Sequence, residues 1–363
     1  MKVLHVVYGL NIGGLERVLI NCVNKLPRDV QHHIVCLTSF SKDFADLLPS
    51  NTNLYSLNKG VGKDFSVYSK FFRLLKSISP DVLHTYNLAT NELQFFGWLA
   101  RVPVRIHAEH GRDIYDPEGK IFKYKLLRRC MSFFTSKVVA VSGELYMWLK
   151  NDVRLLEHKV VLIRNGIDTD FYIPNEKKHE KFVIGHIGRL SPIKNQSLLL
   201  DAYALACHTN KTFAEETRVI IVGSGESEKR LIELSKRNNT QHQISFEGAQ
   251  LDVLKYYQSF DCYVMTSLAE GIPMTLLEAM SCGVAAAVTN VGGMPEVVNR
   301  DVGFLLLSGN TLDVACKLIT LWQNKAATKE MGRKARERIQ AMFSEQSMVN
   351  KYQQLYGISN VRD

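Results

Sequence analysis

Short apolar runs separated by amphipathic stretches recur along the chain. KVLHVV, HHIVCLTSF, DVLHTY, VRIHAEH, KVVAVS and VVLIRN read as strands of a parallel sheet covered on both faces by the helices between them. The first such helix has apolar Leu15, Val18, Leu19, Cys22, Val23 and Leu26 at the i, i+3, i+4 spacing of one buried face. The alternation pauses at IPNEKKHEK, residues 173–181, which is polar and contains proline. It restarts with FVIGHIG, RVIIVGSG, QISFEG, DCYVMTS and VAAAVTN. The pattern predicts an α/β protein of two doubly wound, Rossmann-like domains: residues 1–172, a linker at 173–181, residues 182–342, and a last helix within 343–363. Ligands of such sheets bind beyond the carboxyl ends of the strands, so chemistry is expected in the loops that follow them.

Composition narrows the class. A chain of 363 residues is long for one core and suits two. Hydrophobic and charged fractions of 46% and 22% are those of an ordinary soluble protein. The first apolar run ends at Asn11, too short for a secretory signal. The uncharged segment from Ala279 to Pro295 is interrupted by glycines, Ser281, Thr289 and Asn290, so no membrane span is expected. Seven cysteines without CxxC spacing point to reduced thiols in a cytoplasm and against a zinc site.

Charge is uneven. The net charge is +9, and residues 1–175 hold 23 Lys/Arg against 16 Asp/Glu while the remainder holds 22 against 20. The densest stretch, Lys120 to Lys137, has six basic and no acidic residues among Phe and Tyr. No nucleic-acid motif accompanies it, so nucleic acid is not expected as a partner. An anionic membrane surface suits a basic and aromatic face better, which gives a peripheral position at the inner face of the cell membrane. The alternative is a buried helix whose lysines point to water.

The loop YGLNIGGLERVL sits between strand and helix, where glycine backbone presents N–H groups to an anion. It is no P-loop: Gly14 is followed by Leu15 and Glu16 where a lysine and a hydroxyl are required. If Gly13 and Gly14 face a phosphate, the cation must come from elsewhere. GHIGRLSPIKN supplies two, Arg189 and Lys194, in a strand-to-helix loop where they can bracket phosphates. LAEGIPMTLLEAMSCG then places Glu270 after a strand and Glu278 within the helix expected over Thr275 to Ser281, ended by Gly283. The backbone around Gly271, Ile272, Met274, Thr275 and Leu276 forms a helix start that favours anions. A carboxylate on each side of an anion site can take hydroxyl hydrogen bonds at both ends of one ligand, the layout of a nucleoside diphosphate sugar. The bland alternative is two solvated glutamates and two surface cations. Two motifs are set aside. In VIIVGSGESEKRL, Glu228 stands where a dinucleotide fingerprint needs its third glycine. Asp168-Thr169-Asp170 resembles a metal-binding DxD but has too few carboxylates nearby for an oxygen-ligand shell, and reads as loop structure.

GGLERVLIN, NGIDTDFY, GRLSPIKN, VGSGE, EGIPMTLLEAMSCG and TNVGGMPEVV occur in this order, and with them the chain resembles the retaining glycosyltransferases of family 4, which have the GT-B fold. AEHGRDIYDPEGKIFKY further resembles the bacterial exopolysaccharide sugar transferases of that family. The resemblance implies two domains facing a central cleft, with the last helix bracing the first domain. It implies transfer from a nucleotide sugar, a UDP-sugar being expected, to a saccharide or lipid-linked saccharide in cell-surface polysaccharide synthesis. Neither metal nor cofactor is implied, since the nucleotide sugar is itself a substrate. Residue by residue, Glu270 would contact the transferred sugar and Glu278 the ribose, while Arg189 and Lys194 neutralise the diphosphate. His110 would stand beside the reacting sugar, a satisfied core histidine being the alternative, and backbone at residues 246–250 would meet the base. Ala285 and Asn290 stand where relatives often show Pro and Asp, which touches local loop geometry alone. A nucleotide-sugar epimerase of the same fold and a non-catalytic nucleotide-sugar-binding protein remain alternatives; a glycosidase would leave Arg189 and Lys194 without a role.

Overall fold

The computed structural model describes residues 1–11, 13–60, 62, 64–112, 115–175 and 180–358. Among these the strands form two wholly parallel sheets. The first contains β1 (Lys2–Val7), β2 (Gln31–Cys36), β3 (Asn53–Ser56), β4 (Val82–Tyr86), β5 (Val104–Glu109), β6 (Lys137–Ala140) and β7 (Val160–Leu162), in the order 3-2-1-4-5-6-7. The second contains β8 (Phe182–Ile187), β9 (Thr217–Val222), β10 (Ile244–Phe246), β11 (Cys262–Met265), β12 (Ala285–Thr289) and β13 (Gly303–Leu306), in the order 10-9-8-11-12-13. Parallel neighbours need crossovers, and helices supply most of them. Two strands were not anticipated from the sequence, β3 and β13, and each lies at the edge of its sheet.

Both sheets reverse winding direction once. In the first, β1 pairs with β2 on one side, Val3 opposite His32, and with β4 on the other, Val3 opposite Val82. In the second, β8 pairs with β9 and β11, Ile184 opposite Val219 and Cys262. Each sheet therefore has a switch point, β1/β4 and β8/β11, where the loops leaving the two strands diverge and open a crevice.

The chain divides into two compact units, Met1–Asn165 with Gln346–Asp363, and Gly166–Glu345. The first crossing thus falls ahead of the polar stretch at 173–181, of which residues 176–179 lie outside the described residues. The reason is hydrogen bonding that composition does not reveal. Ile167 N donates to Phe343 O at 2.9 Å and Glu345 N to Ile167 O at 3.0 Å. Tyr172 O accepts from Ser281 Oγ and from Arg336 Nη1, each at 2.8 Å, and Ile173 O accepts from Gln258 Nε2 at 2.9 Å. The GIDTDFYIPN segment from Gly166 therefore belongs to the second unit. Within it Asp168 Oδ1 accepts from the amides of Asp170 and Phe171, both at 3.0 Å, so this aspartate closes a turn.

The last helix, Glu345–Tyr356, buries Met348, Val349, Tyr352 and Tyr356 in the first unit, where the Tyr356 hydroxyl meets His84 Nδ1 at 2.7 Å. Among the described residues no helix is long and apolar enough to cross a membrane.

Candidate active site

The switch point of the second sheet gathers the polar residues. Arg189 and Lys194 lie on the loop leaving β8, and Glu270 lies on the loop leaving β11. Two bonds stitch these loops together: Leu268 N donates to Ile193 O at 2.8 Å and Thr266 Oγ1 to Asn195 O at 2.9 Å. So joined, Lys194 Nζ and Glu270 Oε1 form an ion pair at 2.5 Å, with the side chains 21% and 11% exposed. Ser267 Oγ donates to the same carboxylate oxygen at 2.6 Å. On the far side Gly293 N donates to Gly271 O at 3.0 Å. Gly292 beside it has φ +55°, and a Cβ there would overlap Glu270 O. Only glycine allows that approach.

The β8 loop is held equally firmly from behind. Gly188 N donates to Val222 O and Leu190 N to Ser224 O, both at 3.0 Å. A Cβ on Gly223 would overlap Gly188 O, and one on Gly225 would overlap Leu190 O. The GSG motif therefore has a packing role: it lets the loop that carries exposed Arg189 lie against the loop leaving β9. Arg189 O accepts from Gln196 Nε2 at 2.9 Å, and the same amide lies 3.1 Å from His186 Nε2. His186 Nδ1 faces Val264 O at 2.9 Å. A carbonyl only accepts, so Nδ1 carries the proton and Nε2 accepts from Gln196. Burial pushes His186 down to about 4, which keeps the ring neutral near pH 7.

Glu278 lies in the helix Met274–Ser281, which begins one residue earlier than the sequence suggests. Its side chain is buried, and Oε2 accepts from the Tyr257 hydroxyl at 2.6 Å. Burial raises the Tyr257 pKa well above its ordinary value, with the Glu278 charge next, so the phenol remains a donor. Tyr263 stands between the two glutamates: its hydroxyl contacts Thr275 Oγ1 at 2.9 Å and Ile187 O at 3.0 Å, and Glu270 and Glu278 both add to the rise in its pKa that burial produces. Ile272, Met274 and Leu276 are buried, so only backbone could meet an anion there, and the Leu276 amide already donates to Pro273 O at 3.2 Å.

His110, Gly13 and Gly14 belong to the first unit. His110 follows β5, and its N–H donates to Asn87 Oδ1 at 2.8 Å beyond β4. Both ring nitrogens are buried and lack a hydrogen-bond partner among the described residues. Burial pushes the ring down to about 4 despite the neighbouring Glu109. Among the described residues the ring is thus unsatisfied, and a neutral imidazole offers one donor and one acceptor. Gly13 caps the helix Gly14–Lys25 in extended conformation, and the Glu16 carboxylate lies against it where a Cβ would project.

Glu109 explains part of the basic run. Lys123, Arg128 and Arg129 lie on the helix Phe122–Ser132, but Arg128 points inward. Its Nε and Nη2 reach the two oxygens of Glu109 at 2.6 and 3.2 Å, and its guanidinium lies over the Trp148 ring at 5.0 Å. Burial would raise the Glu109 pKa, but Arg128 and His107 outweigh it and hold it at about 2. Arg128 is thus removed from any lipid-facing surface. Phe122, Lys123, Leu126, Arg129 and Phe133 remain exposed on this helix and its end.

Residues 12–171 match the family model for Glycosyltransferase Family 4, and residues 168–338 match that for Glycosyl transferases group 1. The N-acetyl-alpha-D-glucosaminyl L-malate synthase of Bacillus anthracis is 31% identical over 322 residues, spanning 84% of this chain and 81% of that protein. The chain belongs to glycosyltransferase family 4. Over 376 residues it is also 25% identical to the UDP-Gal:alpha-D-GlcNAc-diphosphoundecaprenol alpha-1,3-galactosyltransferase of Escherichia coli, covering 98% of this chain and 96% of the relative. Its fold is that of Anabaena HepE, whose crystal structure in complex with UDP-glucose aligns with a TM-score of 0.83 at 22% identity, covering 98% of this chain and 99% of that one. This family 4 member is a glycosyltransferase of GT-B fold; Ser267, Tyr257 and Gln196, which bond to Glu270, Glu278 and Arg189 O, carried no signal in the sequence.

Proposed function

We propose that the protein is a retaining, metal-independent glycosyltransferase that moves a sugar from a UDP-sugar to a saccharide or lipid-linked saccharide in cell-surface polysaccharide synthesis. The observation that carries this reading is the convergence of Arg189, Lys194 and Glu270 on the loops of one switch point, with Glu278 in the helix that follows. The Escherichia coli relative, named for a UDP-Gal donor and a diphosphoundecaprenol-linked acceptor, supports the substrate classes.

In this mechanism Glu278 holds the ribose and Glu270 a hydroxyl of the sugar. Arg189, Lys194 and the amides of Gly271, Ile272, Met274 and Thr275 face the diphosphate, and the Gly13–Gly14 backbone adds donors. As the bond between the anomeric carbon and the phosphate oxygen breaks, its electron pair stays on the leaving nucleoside diphosphate, where preorganised cations matter most. The acceptor hydroxyl forms the new bond from the same face and passes its proton to the departing phosphate oxygen. His110 offers its neutral ring to the reacting sugar. The two cations do the neutralising that a divalent ion would otherwise do, so activity should survive EDTA; full loss restored by manganese would contradict this.

The acceptor side would be cytoplasmic and lie against the membrane through Phe122, Lys123, Lys125, Leu126, Arg129 and Phe133. Neutralising Lys123, Lys125 and Arg129 should weaken binding to anionic vesicles by about 1 kcal/mol per residue. Unchanged binding, or equal binding to neutral vesicles, counts against the membrane. For the reaction itself, a panel of nucleotide sugars should be incubated with total lipid-linked glycans and the products read by mass spectrometry and NMR. A glycan enlarged by one sugar, with the donor's anomeric configuration kept, is expected. Inversion, or conversion of donor with no acceptor present, would overturn the reading.

A further inference from the structure

Two donors share one oxygen of Glu270, and they differ in kind. Ser267 is fully buried, and its carbonyl accepts from Thr289 Oγ1 at 2.6 Å, so its hydroxyl is fixed at 2.6 Å from Oε1. Lys194 reaches the same atom at 2.5 Å from the end of a four-carbon stem that remains partly exposed. The loop beneath it is rigid, since Asn195 O is held by Thr266 and Leu268 N is bonded to Ile193 O. The ammonium can therefore swing while its anchor stays. A diphosphate arriving at this loop competes with Glu270 for it, and offers more negative charge than one carboxylate.

We propose that Lys194 exchanges between Glu270 and the donor's diphosphate, and that Ser267 is the positioning residue that keeps Glu270 in place when Lys194 leaves. This rests on Lys194 meeting the diphosphate, as proposed for the donor site. The pair neutralises Glu270, whose side chain at 11% exposure would otherwise hold a largely desolvated charge alone. When the diphosphate takes Lys194, Oε1 keeps the Ser267 hydrogen bond but loses its cation. It becomes a stronger acceptor at the moment a sugar hydroxyl arrives. Diphosphate binding thus switches on the sugar-binding carboxylate, and a free sugar, which cannot displace Lys194, meets Glu270 already occupied.

Calorimetric titration with UDP tests this on the full chain. Glu270→Gln removes the competitor, so UDP should bind roughly three- to tenfold more tightly even though transfer falls. Removing a negative charge near an anion could raise affinity by itself, so the decisive control is the same change in a Lys194→Met background. There the gain should vanish, because the coupling runs through Lys194. Ser267→Ala should leave UDP affinity within about twofold while lowering kcat, since the serine orients Glu270 and does not touch the nucleotide. A gain that persists with Met at 194, or no gain in Glu270→Gln alone, overturns the exchange. Unchanged kcat in Ser267→Ala overturns the positioning role. Wild-type protein that binds no UDP would refute the donor site itself.

Discussion

The two sheets share a winding plan but differ in what fills them. Strands β1, β2, β4 and β5 carry His5, His32, His33, His84 and His107, all buried, where the centre of the second sheet carries Cys262, Val264 and the run Ala285 to Val288. In the first unit most of these rings make buried hydrogen bonds. His5 Nδ1 meets the Tyr86 hydroxyl at 3.0 Å, His5 Nε2 meets His32 Nδ1 at 3.2 Å, and Thr85 Oγ1 meets His107 Nδ1 at 2.8 Å. His107 Nε2 continues the chain to Glu109 Oε1 at 3.2 Å, and so to Arg128. The second unit places its Lys194–Glu270 pair on the loops leaving β8 and β11 and its Tyr257–Glu278 pair between two helices. Buried networks specify structure but tolerate no missing member. Substitutions in the first unit should therefore threaten folding, and those at the second unit's switch point should threaten function.

The largest effect expected is on stability in the first unit. Arg128→Ala leaves Glu109 buried without its cation and should cost about 3 to 5 kcal/mol in urea unfolding. A near-neutral result would mean that the network is not structural. Next comes Arg189→Ala at the second switch point, which should raise the transfer barrier by about 2.7 to 4 kcal/mol while unfolding is little changed. Wild-type turnover there would return Arg189 to ordinary surface charge. Tyr257→Phe is milder: with one hydrogen bond to Glu278 gone, UDP affinity should fall by about tenfold, roughly 1.4 kcal/mol. An unaltered affinity would separate Tyr257 from the nucleotide.

The smallest effect near neutrality is acid sensitivity. Burial holds His32 and His110 at about 4, below the ordinary 6.5, and puts His5 and His84 well below 6.5 too. Between 6.5 and those values the unfolded chain binds more protons than the folded one, so stability falls as pH drops through the window. Glu109, held at about 2, extends the loss in the same direction once pH falls below its unfolded value. In the second unit burial likewise holds His186 at about 4. Hydrogen exchange at about pH 4.5 should therefore show the first unit opening before the second. Simultaneous opening, or the reverse order, would break the comparison.

Most strands were legible because parallel strands buried on both faces leave nearly continuous apolar runs. NLYS and GFLL escaped for a physical reason: as edge strands they are short and partly exposed, with Asn53, Ser56 and Leu305 interrupting the burial. The crossing at Asn165 was hidden because its partners, Phe343, Arg336 and Ser281, lie far along the chain. Arg189, Lys194 and Glu270 stood out by following strands at a switch point. Ser267 is one serine at a strand end and Tyr257 one aromatic in a helix, and only the fold shows that each holds a glutamate. Arg128 looked like surface charge because nothing in a basic run reveals a buried Glu109 opposite it.

A division of labour between Glu278 and His110 is tested most directly by pairing UDP titration with transfer assays on Glu278→Gln and His110→Ala. Glu278→Gln should weaken UDP by about tenfold or more, whereas His110→Ala should leave UDP within about twofold and slow transfer by at least about 100-fold. UDP affinity lost equally in both variants, or transfer at the wild-type rate in His110→Ala, would contradict the assignment of Glu278 to the nucleotide and of His110 to the reacting sugar.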